Sequence, residues 1–530
     1  MAVDPVSTDH VQERERRKAE GSLQTASVSL HTGRRVAEIS PLIFGGFAEH
    51  MGRCIYEGIY DPASPLADSR GFRPDVMSAL KDINYRVMRY PGGNFVSGYR
   101  WQDGVGPKDK RPRRRALAWR STETNQFGPD EFMEFARELG TEPMWAVNLG
   151  TGTIQEAADL VEYMNLPTGT HFSDLRAANG HADPYGVKYW CLGNEMDGPW
   201  QIGQMDAATY AEKAVQAAKL MRWVDPSIQT IACGSSSTSM PTYPDWDRTV
   251  LDRTYDQIDY FSMHHYAANP YPSPNHTRLE MDSDSYLASS IHFAEHADTL
   301  GAAIRVSKVK NRSKKDVFLC WDEWNVWYRA TGGDGAWSEA PHILEEEYNL
   351  EDALVVATWL NTFLKKADIV KIACIAQIVN VIAPIMTNST GMYRQTIFYP
   401  LALFSNHASG VSLDALVKAP VQDTKRYGPV QVLDVSASYD EAAGQGATFL
   451  VNRSLTDSLS LTLSWEEGAP QEIAQAWQMS GPDPMAGNSF DQPDAVTAHE
   501  IPVPRLDGRS LTLVLPPLSF TTLISRHTSG

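Results

Sequence analysis

Between residue 38 and about residue 400, short apolar runs alternate with longer stretches in which apolar residues recur every three or four positions. The runs are LIFGGFAEH (42–50), YRVMRYPGG (85–93), EPMWAVNLG (142–150), VKYWCLGNE (187–195), QTIACGSS (229–236), YFSMHHY (260–266), DVFLCWDEWN (316–325) and VKIACIAQIVN (370–380). Their Val, Ile, Phe, Trp and Cys content fits strands buried on both faces. The intervals read as helices. In 206–224, Tyr210, Ala214, Ala217, Met221 and Val224 share a face, and Asp225–Pro226 ends the segment. In 349–366, Asn349 stands where a cap belongs, and Leu350, Leu354, Ala357, Leu360 and Leu364 form the apolar stripe. Eight strand–helix units over 38–400 predict a (β/α)8 barrel. A doubly wound sheet is the other arrangement the alternation permits, but no G-x-G-x-x-G follows any run.

After residue 400 the period shortens to two. VQVLDVSASYD, GATFLVNRS, LSLTLSWEE and SLTLVLPPLSFTTLIS alternate between Gly, Pro and Asp turns, which predicts an antiparallel β-sandwich over 401–530. The early run ASVSLHTGRRV (26–36) has the same character, so residues 23–37 are expected to add a strand to that sandwich. Residues 1–22, rich in charge, are expected to be a disordered, solvated arm.

Composition narrows the function classes. The 530 residues carry a formal charge of −18, which repels nucleic acid and anionic membranes as a whole. The basic run KDKRPRRR (108–115) is therefore expected to be a solvated or subunit-contacting loop. No run approaches the ~20 apolar residues of a membrane span, and the opening segment lacks the apolar core of a secretory signal, so a cytoplasmic protein is expected. Five scattered cysteines without a CxxC pair argue against a disulfide framework or a zinc knuckle and read as small buried hydrophobes.

In such a barrel the chemistry sits at the C-terminal ends of the strands. The tails of the eight runs carry Glu49–His50, Arg89, Asn94, Asn148, Asn194–Glu195, Ser235, His264 to Tyr266, Glu323–Asn325 and Gln377–Asn380. This set holds no Ser-His-Asp triad, HExxH or Walker loop. His264–His265 lacks a third ligand at metal-binding spacing, so no metal is expected. Carboxyl groups among amides, an Arg, a His and a Tyr suit glycoside hydrolysis, in which one carboxyl donates a proton and another attacks the anomeric carbon. Glu195 and Glu323 end the fourth and seventh runs. Trp321, Trp324 and Trp327 flank Glu323 as candidate walls. Strand alternation turns His264 toward the site and His265 away from it. Whether Trp101, Trp119 and Trp200 stack on sugar or pack into the core is open from sequence.

Several motifs carry a specific resemblance. FGGFAEHMGRCIYEGIYD (44–61), RYPGGNFVSGYRWQDGVGP (89–107), WRSTETNQFGPDEF (119–132), YWCLGNEMDGPWQIG (189–203), WDEWNVWY (321–328) and the closing LPPLSFTTL are similar to the α-L-arabinofuranosidases of glycoside hydrolase family 51. The resemblance implies a retaining, exo-acting enzyme that releases arabinofuranose from arabinan- or arabinoxylan-derived oligosaccharides. It implies Glu195 as acid/base and Glu323 as nucleophile. It further implies furanose contacts from Glu49, Asn94, Asn194 and Gln377, with Arg89, His264 and Tyr266 around the nucleophile. No cofactor is implied, and a homo-oligomer, suspected to be a hexamer, is. Rival readings are a retaining β-xylosidase or endo-β-glucanase on the same barrel, or a non-catalytic sugar-binding protein. Three departures stand out: the charged arm before residue 23, longer than the family core needs, the stretch 267–315, read as an insertion between the sixth and seventh strands, and a Gly-rich loop at 330–342.

Overall fold

The computed structural model describes residues 21–267, 282–327 and 337–528. The eight apolar runs become the eight strands of one closed barrel: Gly45–Phe47, Val87–Tyr90, Glu142–Ala146, Tyr189–Leu192, Gln229–Ala232, Tyr260–Ala267, Phe318–Val326 and Val370–Ala376. Each pairs in parallel with its sequence neighbours, and the last closes on the first through Cys374↔Gly45 and Ala376↔Phe47. All eight C-terminal ends therefore share one rim, where the polar tails of the runs gather.

Helices between the strands cover the barrel, and their ends follow capping rules. Asp206 accepts from the Ala208 and Thr209 amides and starts Ala207–Val224. Asn349 and Asp352 form a reciprocal capping box at the head of Leu350–Lys365. That helix is buried almost all round, because it lies between the barrel and the C-terminal sheets. The stretch 267–315 is only partly an insertion. Ser290–Lys310 is a regular helix that buries Phe293, Ala297, Leu300 and Ile304. It is the helix a β/α unit needs between the sixth and seventh strands. The NPYPSPNHT segment, the opening arm through residue 20 and residues 328–336, which include the first part of the Gly-rich loop, lie outside the described residues.

The C-terminal part is a two-sheet sandwich. Seven strands run in the order Arg35–Glu38, Val411–Leu413, Leu433–Asp440, Gln445–Asn452, Ser519–Arg526, Glu472–Ser480 and His499–Glu500. Four strands, Leu416–Lys418, Leu23–His31, Ser458–Glu467 and Ser510–Leu515, form the facing sheet. Val28, Leu30, Leu413, Val435, Leu450, Leu461, Leu463 and Leu523 fill the space between them. The early segment thus supplies one strand to each sheet. It brings one departure from an all-antiparallel design, because Leu23–His31 runs parallel to Ser458–Glu467. Between barrel and sandwich, the helix Phe398–His407 spans residue 400 and stacks Phe404 on Phe449 and Phe520.

All five cysteines are buried and free. Arg113, Arg114 and Arg115 of the basic run are exposed, as a solvated loop requires, and make surface contacts with Glu339, Asp103 and the Trp337 ring, whereas the Arg111 side chain is buried against Glu131. Among the described residues no helix is long and apolar enough to cross a membrane.

Candidate active site

Arg89, at the end of the second strand, is fully buried and organises the centre of the rim. Its Nη1 donates to Glu323 Oε1 at 2.6 Å and its Nη2 to Asn194 Oδ1 at 2.7 Å, while Nε lies 3.2 Å from Asp322 Oδ2. Burial alone would weaken so enclosed a cation, but the charges of Asp322 and Glu323 hold it firmly protonated. Tyr266, from the sixth strand, donates to the other Glu323 oxygen at 2.8 Å. Burial and the neighbouring Glu323 raise the Tyr266 phenol well above its usual range, so it remains a donor.

Glu195 faces this pair from the end of the fourth strand. It adopts φ 43°, a left-handed conformation that disfavours a residue with a β-carbon, in a turn closed by the Gly198 amide on the Glu195 carbonyl at 2.8 Å. Its Oε1 lies 3.0 Å from His264 Nδ1 and its Oε2 accepts from the Trp200 indole at 2.6 Å. A carboxyl oxygen of Glu195, one of Glu323 and a nitrogen of His264 all lie within 4.8 Å of one another. Burial raises Glu195 above the ordinary carboxyl range and the Glu323 charge adds to it, against the pull of the His264 and Trp200 donors.

His264 sits between the two glutamates and Asp322. Its Nδ1 is 3.5 Å from Glu323 Oε2 and its Nε2 is 3.4 Å from Asp322 Oδ1. Burial would strip its proton, but the charges of Glu323 and Asp322 hold its pKa well above normal. A metal bound by Glu195, His264 and Glu323 would need that imidazole unprotonated, and the surrounding carboxylates favour the opposite state. Asp322 is kept at about 2 despite burial by Arg89, His264 and a hydrogen bond from Ser262.

A second cluster lies beside the first. Glu49 leaves the first strand and rests on Gly92 and Gly93, where an added β-carbon would come within 2.6 Å of its side chain. Its Oε1 accepts from the Phe95 amide at 3.0 Å and the Trp119 indole at 2.8 Å. Its Oε2 accepts from Gln377 Nε2 at 3.2 Å, and its own amide returns a bond to Gln377 Oε1 at 3.1 Å. Burial and the Glu323 charge push the Glu49 carboxyl up to about 8, against these donors and Arg89. Asn94, on the turn after the second strand, accepts from Asn194 Nδ2 at 3.4 Å.

The structure thus brings Glu49, Arg89, Asn94, Asn194, Glu195, His264, Tyr266, Glu323 and Gln377 to one site. Other rim residues hold the scaffold. Asn325 donates to the Ala376 carbonyl at 2.7 Å, Asn380 ties Arg53 to Thr387, Asn148 braces its own loop, and Ser235 binds Asp247. Trp321 and Trp324 do not wall the site. They point outward and pack among Phe293, Trp359 and Phe363. His265 joins them in that outer layer. Trp101 is a core residue bonded to the Glu156 carbonyl, whereas Trp119 and Trp200 each grip a site carboxyl. Asp322 is a site residue that the sequence reading did not single out.

A closed parallel barrel with two facing carboxyl groups at its mouth, among amide and hydroxyl donors, has the architecture of a barrel glycoside hydrolase. Comparison with known proteins gives the family. Residues 79–286 match the model of the alpha-L-arabinofuranosidase 1 domain, and residues 322–519 that of the alpha-L-arabinofuranosidase C-terminal domain. An intracellular exo-α-(1→5)-L-arabinofuranosidase of Halalkalibacterium halodurans is 44% identical over 504 residues, covering 94% of this chain and 98% of that protein. An exo-α-(1→6)-L-arabinofuranosidase of Bifidobacterium longum is 42% identical over 95% of this chain and 98% of its own length. The solved structure of a family 51 α-L-arabinofuranosidase from Bifidobacterium longum superposes with a TM-score of 0.91 at 39% identity, covering 95% of this chain and 100% of that one. The chain belongs to the α-L-arabinofuranosidases of glycoside hydrolase family 51.

Proposed function

We propose that this enzyme removes terminal α-L-arabinofuranosyl units by double displacement with net retention, with Glu323 as nucleophile and Glu195 as acid/base. The observation that carries this reading is the approach of Glu195 and Glu323 oxygens to within 4.8 Å, with Arg89 and Tyr266 donating to Glu323. Retaining glycosidases keep their carboxyl groups ~5–5.5 Å apart, whereas inverting ones leave room for a water at ~6.5–9.5 Å. In the first step a Glu323 oxygen bonds to the anomeric carbon as the bond to the glycosidic oxygen breaks, and the Glu195 proton passes to that oxygen. In the second, Glu195 takes a proton from water, the water oxygen bonds to the anomeric carbon, and Glu323 leaves as carboxylate.

The roles of the remaining groups follow from their positions. Asn194, anchored by Arg89 beside Glu195, suits the furanose 2-hydroxyl, a contact that strengthens in the oxocarbenium-like transition state. Glu49, Gln377 and Asn94 suit the other ring hydroxyls, and a protonated Glu49 offers a donor there. Arabinan- and arabinoxylan-derived oligosaccharides are the expected substrates. The relatives named for the α-(1→5) linkage support the first of these, and their being named intracellular supports a cytoplasmic setting. A homo-oligomer is the expected assembly. The test is time-resolved proton NMR of the anomeric products from an aryl α-L-arabinofuranoside. First-formed α-arabinofuranose, lost in Glu323→Ala, is expected. First-formed β-anomer would overturn the mechanism, and turnover of a β-xyloside or β-glucan instead would overturn the substrate.

A further inference from the structure

Where the barrel meets the sandwich, a cleft of about 410 Å³ opens between the helices Ser290–Lys310 and Leu350–Lys365 on one side and sandwich strands on the other. Its polar lining includes Lys365, Lys366, Arg453 and Asp434, and Ser290 and Ile291 bring the first turn of their helix to it. None of the residues assigned to the reaction lies here. Positive charge outweighs negative. Lys365 and Arg453 share one carboxylate, Asp434, which Lys365 contacts directly while Arg453 Nη1 stays 3.7 Å from Oδ2. Lys366 pairs with Asp298 at 2.6 Å, and Asp414, the other acid of the lining, is taken by Arg34. The 21-residue helix adds the positive end of its dipole, and its N-cap residue, Ser289, gives no side-chain cap.

Arg453 is the least satisfied of these groups. It is 5% exposed, its Nη2 donates to the Gln431 carbonyl at 2.5 Å, and its Nη1 reaches Ser290 Oγ only at 3.5 Å. Its buried Nε–H has no acceptor among the described residues. Burial pulls the guanidinium below its usual range, and the Asp434 charge only partly offsets that. A buried cation is ordinarily matched in both charge and hydrogen bonds, so this one calls for a further acceptor. We propose that the cleft binds a small oxyanion of the phosphate type, free or carried on a small metabolite, held by Arg453, Lys365 and Lys366 at the head of the helix Ser290–Lys310. A phosphoryl group presents several acceptor oxygens, and a guanidinium, ammonium groups and a helix N-terminus are the donors that recognise one. The cleft is larger than a bare ion and has room for the organic part of a phosphorylated ligand. Because its walls come from both parts of the fold, occupancy stabilises their joint. The inference stands apart from the glycosidase reading and survives or fails without it.

The test is thermal unfolding of the full chain at fixed ionic strength as sodium chloride is exchanged for sodium phosphate, with titration calorimetry for the dissociation constant. The wild type should show a saturable rise in Tm. Arg453→Lys keeps the buried charge but loses the guanidinium donors. Lys366→Gln removes a partly exposed charge and leaves the core intact, so it carries the test if the first variant does not fold. Each should weaken phosphate about tenfold, the size of one lost charge-assisted hydrogen bond, with kcat on an aryl α-L-arabinofuranoside unchanged. Ribose 5-phosphate, titrated beside inorganic phosphate, separates the sources: tighter binding assigns the site to a phosphorylated metabolite, and equal or weaker binding to the free ion. Phosphate no more stabilising than chloride would overturn the proposal. So would a Tm rise that persists unweakened in both variants, or one that saturating arabinose abolishes, because the ion would then sit at the barrel mouth.

Discussion

His264 Nε2 stands 3.4 Å from Asp322 Oδ1, on the opposite side of the imidazole from Glu195. Asp322 also touches Arg89, so one buried carboxylate serves both cations of the site. Replacing it with Asn removes the charge that keeps His264 protonated and leaves Arg89 with less compensation. For Asp322→Asn, kcat should fall on the order of a hundredfold, a general-acid/base-sized effect, with a smaller change in KM. The His264 imidazole resonance, followed by NMR, should titrate at lower pH than in the wild type. A variant with wild-type kcat would show that Asp322 only fills space.

Glu49 gives a pH signature of known sign. Its carboxyl is raised to about 8 by burial and the Glu323 charge, so near neutrality it stays protonated in the folded protein and ionised in the unfolded chain. The folded state then binds the extra proton. This group's contribution to stability is fully present below the ordinary carboxyl range and is lost as pH rises through about 8. Glu49→Gln cannot ionise. Its Tm relative to wild type should therefore rise between pH 5 and pH 9, and the activity loss tied to Glu49 ionisation should vanish from its profile. A Tm difference independent of pH would contradict this.

Asp434 tests the joint between the two parts of the fold. It lies on a sandwich strand and is buried against Lys365 at the end of the helix Leu350–Lys365, with Arg453 Nη1 3.7 Å from its Oδ2. Burial would raise its carboxyl, yet these cations hold it below normal. Asp434→Ala leaves Arg453 buried without its partner and should cost about 3 kcal/mol in denaturant unfolding. The penalty should shrink as pH falls through the lowered Asp434 pKa, because protonation discharges the wild-type carboxylate too. The site is distant in sequence and built on other strands, so kcat at 25 °C should change little by comparison. A stability loss well under 1 kcal/mol would show that the ion cluster is dispensable.

Much of this was legible in the chain because the barrel repeats one pattern. Apolar runs set the eight strands, and their polar tails set the rim. Alternation also sorted His264 from His265 correctly. It failed one strand later. In Phe318–Val326 the register against the eighth strand shifts between Trp321 and Trp324, so Asp322 and Glu323 both face inward while the two tryptophans face out. A bulge is a tertiary event with no local sequence mark, which is why the pattern hides Asp322 and leaves Trp321 and Trp324 looking like site walls. The helix Ser290–Lys310 had a readable stripe in Phe293, Ala297, Leu300 and Ile304, but the polar, Pro-rich segment before it masked the boundary. The carboxyl partners of Trp119 and Trp200 depend on loop folding and had no periodic signal. The same holds for Glu123, which takes His50 at 2.7 Å and Tyr56, and so anchors the Trp119 loop behind Glu49.

The assignment of the two glutamates makes opposite demands on their deletion variants. Glu195→Ala retains the nucleophile that Arg89 and Tyr266 hold in place. With a leaving group that needs no protonation, such as a dinitrophenolate, its first step should survive and its second should slow, so a burst precedes a steady state reduced by ~10²–10⁴. The cavity left by the carboxyl admits a small anion, and azide should restore turnover and yield the α-arabinofuranosyl azide, with the configuration of the substrate. Glu323→Ala has no group to form the ester. Azide entering in its place attacks the substrate once, so any rescued product should be the β-azide, with inverted configuration. Product stereochemistry by NMR separates the two variants without reference to their rates. Finding the inverted azide from Glu195→Ala, or the retained one from Glu323→Ala, would exchange the two roles.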